Sequence, residues 1–232
     1  MKIAIMQPYI FPYIGYFQLI NAVDKFILYN DVNYIKGGWI NRNQILQNGK
    51  KTYLNFNLKD SSSFKKINQI LVVGRVDKLL KTIKLAYSRA PYFDVVFPII
   101  EKIFSNINPN SLISEIAEIS IKEISMYFNI KTQFELSSEK YSESIDLLKE
   151  ERILKICKLN NAETYINSIG GKDIYDKKYF SDNQVGLYFI KSNSIQYKQF
   201  KNDFVANLSI IDVMMFNSLI EIQKMLDDYE LI

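Results

Sequence analysis

Apolar residues fall along this chain in two rhythms. Lys2 to Met6 (KIAIM) and Lys25 to Tyr29 (KFILY) are short, nearly continuous apolar runs, as in strands buried on both faces. Between them Ile14, Phe17, Leu19, Ile20 and Val23 recur at helical spacing over Tyr13 to Val23. Gln7 and Pro8 stop the first run, because proline cannot donate to a sheet ladder; Asn30 and Asp31 close the second. Strand, helix, strand in that order predicts a parallel pair joined by a right-handed crossover. Further on, Asn48-Gly49 between apolar stretches predicts a tight hairpin. Ile67 to Val73 is another apolar run, ended by Gly74. Helical spacing predicts helices over Val76–Tyr87, Phe93–Phe104, Leu112–Phe128 and Ser142–Leu159, the last capped by Ser142 or Ser144. A final helix is expected from Ser209 onward, with Asp212 completing a capping-box-like pattern. Lys131–Leu136, Ala162–Asn167 and Val185–Ile190 read as strands. The fold expected is α/β: three layers, a mostly parallel sheet with a Rossmann-like strand-helix-strand start, and an added helical portion over roughly residues 75–128. One domain is expected over residues 1–232.

Open α/β sheets bind ligands at the carboxyl ends of their strands. Gln7 and Asp31 fall at such ends, and polar side chains collect nearby: Tyr9, Asn33, Lys36, Asn41, Arg42 and Asn43. Arg42, between two amides, is a fork suited to phosphate or carboxylate. Turn chemistry is the plainer account of the asparagines, and core packing of Trp39. A second loop, Ser168-Ile169-Gly170-Gly171-Lys172-Asp173, follows a predicted strand directly. Its glycines permit close backbone approach, and the helix start beyond offers free amides. It is neither a P-loop nor a dinucleotide fingerprint. The expectation is that the front loop, the tryptophan loop and the double-glycine loop converge on one hollow.

Composition narrows the chemistry. The chain has no histidine and one cysteine, Cys157. That excludes Ser-His-Asp and Cys-His machinery, an internal disulfide and most zinc sites. A general base must be Asp, Glu, Lys or Tyr. Cys157 lies on an apolar helical stripe and reads as an inert core residue. The net charge of +4 is scattered, which argues against a nucleic-acid target and suits a small anion. No metal site is expected: Asp31, Asp173 and Asp212 are oxygen donors of the sort Mg²⁺ takes, but their spacing does not join them. No cofactor is indicated, and the oligomeric state is open. No apolar run approaches the ~20 residues of a bilayer span, and Met1-Lys2 leads straight into a strand, so a cytoplasmic protein is expected.

The opening MQPYIFPYIGYFQLINAVDKFILYNDVNYIKGGWINRNQI resembles the signature of the WbqC-like family of bacterial proteins. RAPYF (Arg89–Phe93), YINSIGGKDIY (Tyr165–Tyr175), YKQF (Tyr197–Phe200) and FVANLSIIDVMMFN (Phe204–Asn217) are similar to that family too. Many relatives begin His-Gln-Pro where this chain has Met6-Gln7-Pro8, and Met6 is read as a strand residue. The resemblance implies a place in O-antigen and other surface-polysaccharide biosynthesis. It implies modification of a nucleotide-linked amino sugar; the reading favoured is a transferase moving an acyl or aminoacyl group from its donor to the sugar amine, without histidine. Asp31 and Lys36 are the catalytic candidates, Asp31 taking the proton of the attacking amine. The substrate-binding candidates are Gln7, Tyr9, Asn33, Trp39, Asn41, Arg42 and Asn43, then Gly170, Gly171, Lys172 and Tyr175, and finally Gln199, Ser209 and Asp212. Two other readings stand beside it: a nucleotidyl- or adenylyl-transferring enzyme, and a non-catalytic sugar-nucleotide-binding partner in a glycan-assembly complex.

Overall fold

The structure, a computed structural model, describes residues 1–201 and 203–232. The chain starts with β1 (Lys2–Met6), α1 (Ile14–Asn21) and β2 (Lys25–Leu28), as the apolar rhythm predicts. The hairpin β3 (Arg42–Gln47) and β4 (Lys50–Asn55) follows, turning at Asn48 and Gly49 with φ of 51° and 73°. Two successive positive φ values are what a tight primed turn demands. A small ladder joins β5 (Asn57–Leu58) to β6 (Val72–Val73). The helical portion is α2 (Val76–Tyr87), α3 (Phe93–Ser105) and α4 (Ile113–Tyr127). After it come β7 (Gln133–Leu136), α5 (Ser137–Lys140), α6 (Lys149–Leu159), β8 (Thr164–Ser168), α7 (Lys177–Asp182) and β9 (Gly186–Ser192). The chain closes with α8 (Ile210–Phe216), α9 (Leu219–Leu226) and β10 (Tyr229–Leu231).

The main sheet has the order β10-β9-β8-β1-β2-β7, with β10 antiparallel and the rest parallel. Side chains alternate across it as strand geometry requires. Ile3, Ile5, Ile27 and Tyr165 pack with Ile153, Ile156 and Cys157 of α6 and Phe180 of α7. Ala4, Phe26, Leu28 and Ile166 face the other way, with Phe17 and Ile20 of α1, Ile222 of α9 and the helical portion. Both faces are covered, which is why the central strands read as continuous apolar runs. The fold is therefore a three-layer α/β arrangement.

Two expectations change. The helix expected over Ser142–Leu159 forms only from Lys149, after a 3-10 turn at Ser142–Ser144. Ser144 does not cap it; its hydroxyl donates to the Tyr141 carbonyl at 2.7 Å. The C-terminal helix divides at Asn217, because Ser218 and Glu221 form a new capping box that starts α9. Beyond α9 the chain adds β10 to the sheet edge.

Candidate functional site

From β1 the chain steps to β2 and β7, then crosses back to β8 and β9 on the other side of β1. The direction of winding thus reverses between β1 and β8, where doubly wound sheets open a crevice at the carboxyl edge. The ladder has that form. β1 pairs with β2 from Ile3 to Met6, but with β8 only at Lys2 and Ile3, whereas β8 stays paired with β9 up to Ser168. Loops leaving this edge carry the polar residues around the switch point.

The loop after β1 is held in an unusual shape. Phe11 has a φ of 44°, a left-handed conformation that a bulky side chain rarely adopts. Its carbonyl accepts from Asn43 Nδ2 at 2.6 Å and Ser209 Oγ at 2.9 Å. The Ile10 amide donates to the Ile40 carbonyl at 3.1 Å, so the front loop and the tryptophan loop are joined. Together they line a hollow of about 240 Å³ formed by Tyr9, Tyr13, Trp39, Asn43 and Asn207. Tyr13 and Asn207 also line a larger lobe of about 550 Å³ that runs along residues 192–197, just past β9. The two lobes adjoin at Tyr13 and Asn207 along the front loop, and together they form the groove region. The first turn of α1 opens on it through Ile14, and Tyr13, the N-cap, contributes no side-chain bond to that turn. Unsatisfied amides at such a terminus favour anions.

At the outer end of the groove Trp39 is 49% exposed, beside Tyr53 at a ring separation of 6.3 Å. The Arg42 guanidinium lies 5.8 Å from the Trp39 ring and 5.2 Å from that of Tyr53, and donates to the Gly37 carbonyl. This is an exposed aromatic platform edged by a cation. Inside, Tyr9 packs edge-on against Tyr16 at 5.0 Å, and the Tyr16 hydroxyl donates to the Gln7 carbonyl. Burial, then the neighbouring Tyr13 and Tyr16, push the Tyr9 hydroxyl well above its ordinary pKa, against a hydrogen bond from the Tyr13 backbone.

Asp31 and Arg152 form a buried ion pair at the ends of β2 and β7. Arg152 Nη2 lies 2.6 Å from Asp31 Oδ2, and the two residues are 4% and 3% exposed. Ser137 Oγ donates to the second carboxylate oxygen, and the guanidinium sits 4.6 Å from the Tyr29 ring centre. Burial raises the Tyr29 hydroxyl to about 12, against the pull of Arg152.

The structure gives the remaining sequence candidates the following positions. Asp31 faces Arg152 and Ser137, with both oxygens occupied. Lys36 and Asn33 are exposed on the surface loop before Trp39. Asn41 accepts from the Tyr34 hydroxyl and donates to the Phe56 carbonyl. Asn43 and Ser209 clamp Phe11, as above. Asp212 is buried and accepts from Tyr87 Oη at 2.8 Å, Tyr197 Oη at 2.6 Å and Gln199 Nε2 at 2.5 Å. Its carboxylate does not reach back to the start of α8; Ser209 Oγ caps that helix by accepting from the Ile211 amide. Gly171 is closely packed: a Cβ there would lie 2.7 Å from Asn167 Nδ2, so the Asn167 side chain would have to shift. Gly170 and Lys172 are exposed, and Tyr175 packs against Tyr165 and Phe180. None of these three lines the groove, so two of the three expected loops meet there. Asp31, Asp173 and Asp212 do not come together: no group of three His, Cys, Asp or Glu side chains placed to hold a metal occurs among the described residues. Sequence reasoning missed Arg152, Tyr13, Asn207 and the segment after β9. Arg152 did carry a signal, as a charged residue directly beside the apolar stripe of its helix.

The WbqC-like protein family model matches residues 7–224, almost the whole chain. The chain belongs to the WbqC-like protein family. This WbqC-like chain is also 26% identical over 217 residues to a protein of Mycobacterium tuberculosis (strain ATCC 25618 / H37Rv) named "Uncharacterized protein Rv1507c", covering 92% of each. No solved structure matches it. No helix among the described residues is long and apolar enough to cross a membrane.

Proposed function

We propose that this WbqC-like protein is a cytoplasmic transferase of surface-polysaccharide biosynthesis, moving an acyl or aminoacyl group onto the amine of a nucleotide-linked sugar. The observation that carries the reading is the groove at the carboxyl edge. It joins an exposed ring platform, Trp39 with Tyr53, to the uncapped start of α1. A nucleotide sugar has the matching parts: flat rings for the platform, phosphates for helix amides and Arg42, and hydroxyls for Tyr9, Tyr13 and Asn207. In the reaction the sugar nitrogen attacks the donor carbonyl, a C–N bond forms, the bond to the donor's leaving group breaks, and the departing group takes up the proton that the amine gives up. The groove contributes mainly by holding the partners together, which supplies on the order of 7 kcal/mol or more in well-oriented systems. Asp31 no longer takes the proton in this reading, since Arg152 and Ser137 occupy its oxygens; it stiffens the loop after β2.

The test uses the chain's single tryptophan. Titration with UDP- and dTDP-linked amino sugars should quench Trp39 fluorescence, and Trp39→Ala should weaken binding, read by calorimetry, at least tenfold. Mass spectrometry with an activated acyl or aminoacyl donor should show the modified sugar. Quenching without any product would favour a sugar-nucleotide-binding role. Neither quenching nor product across the panel would overturn the proposal.

A further inference from the structure

We propose that a separate cleft, lined in part by residues 198–201, is a second binding site for an organic anion with a flat ring, a nucleoside phosphate in chemical class. The cleft has a volume of about 940 Å³, within the range of small-molecule sites, and shares no lining residue with either lobe of the groove. Its walls come from far apart in the chain: the β3–β4 turn, the end of α2 and the connection to α3, residues 198–201, and α8 with α9.

Charge and ring surface meet there. Arg89, Lys198 and Lys201 line the cleft, and all three are exposed without an anionic partner among the described residues. The carboxylate on the wall, Glu221, is already engaged, accepting from the Ser218 amide and hydroxyl at 2.7 Å. Three cations against one carboxylate leave the lining net positive, a place for an anion. Tyr92, Phe200 and Phe216 supply the apolar surface. The Phe200 and Phe216 rings are perpendicular at 4.7 Å, and Phe216 also packs on Tyr87 and Tyr197, both anchored to Asp212. Phe200 has a φ of 41°, strained for this residue, in a loop braced by Gln199, whose side chain bonds both the amide and the carbonyl of Val205. Strain kept in place by such bracing fixes a ring at the edge of a cavity instead of letting it relax. A phosphate held by the cations, with a base lying against the aromatic wall, satisfies both halves of the cleft.

The loop is a partition. Residues 192–197 and Phe204, Ala206 and Asn207 face the groove, while Lys198, Phe200 and Lys201 face the cleft. A ligand in the cleft therefore touches the wall of the groove without entering it.

The proposal is tested by calorimetry with UDP, uridine and inorganic pyrophosphate on the full chain carrying Trp39→Ala, which weakens nucleotide binding in the groove and leaves the cleft intact. UDP should bind with heat that Arg89→Ala/Lys198→Ala reduces, its affinity falling at least tenfold, while the melting temperature stays that of the wild type because both side chains are exposed. Uridine and pyrophosphate should each bind at least tenfold more weakly than UDP, as each supplies one half of the match. Trp39 quenching reports the groove alone, so its titration should be the same in the double variant that keeps Trp39, and its absence would count against the group-transfer reading without touching this one. No UDP heat in the Trp39→Ala protein, an unchanged UDP affinity when Arg89→Ala/Lys198→Ala is added to it, or pyrophosphate binding as tightly as UDP would each overturn the assignment.

Discussion

Replacing Arg152 with methionine leaves the Asp31 carboxylate buried opposite an apolar side chain. The two charged groups lie 2.6 Å apart and are almost wholly shielded from water, so solvent screening does not soften the loss. Removing one partner of a buried pair costs about 3–5 kcal/mol, since the other charge stays uncompensated. Ser137 still donates to Asp31, which keeps the cost within that range. At about 2–4 °C per kcal/mol for a chain of this size, the melting temperature should fall by roughly 6–20 °C. Asp31→Asn in the same chain removes the orphaned charge, so the double variant should recover most of the loss. Urea unfolding at pH 7 on all four proteins gives the coupling as a double-mutant cycle, expected at about 2 kcal/mol or more. An Arg152→Met cost below about 1 kcal/mol, or a double variant no better than the single one, would refute the account of this pair.

Other consequences are as direct. Burial, ahead of the opposing hydrogen bonds from Tyr197, Tyr87 and Gln199, holds the Asp212 carboxyl above its ordinary value. Its stabilising contribution is therefore complete below the unfolded value of about 3.9 and is lost as pH rises through the folded one. Relative to Asp212→Asn, the wild type should lose stability across that rise in urea titrations at stepped pH; parallel curves would sink the assignment. Asn43→Ala frees the Phe11 carbonyl from one of its two clamps, and should cost about 1–3 kcal/mol and weaken groove ligands, measured by melting and by Trp39 quenching. The Cys157 thiol, buried and raised to about 12, should stay inert to Ellman's reagent in the native protein and react at once in denaturant; fast native labelling would contradict its burial.

Local signals carried much of the fold. The KIAIM and KFILY runs became neighbouring parallel strands because strands covered on both faces need unbroken apolar sequence. Asn48-Gly49 became a turn because its backbone conformation is nearly unique to such pairs. Tyr229–Leu231 went unread as a strand, since three residues on a sheet edge owe their shape to β9 and not to any periodicity of their own. The groove was half legible: a polar front loop after a buried strand pointed to the right edge of the sheet. The roles of single side chains were not. Asn43, Ser209, Gln199 and Asp212 look like ligand contacts in a sequence, yet each spends its polar atoms on the protein itself. Sequence cannot tell an amide facing a backbone carbonyl from one facing solvent. Nor does it join Asp31 to Arg152, partners 121 positions apart.

The clamp on Phe11 has a consequence for the order of events during translation. One of its two jaws, Ser209, lies 198 positions downstream of the residue it grips. A ribosome must deliver the chain as far as Ser209 before that grip can close, long after the first strands have emerged. The front loop is thus a feature the nascent chain can finish only after Ser209 has left the ribosome.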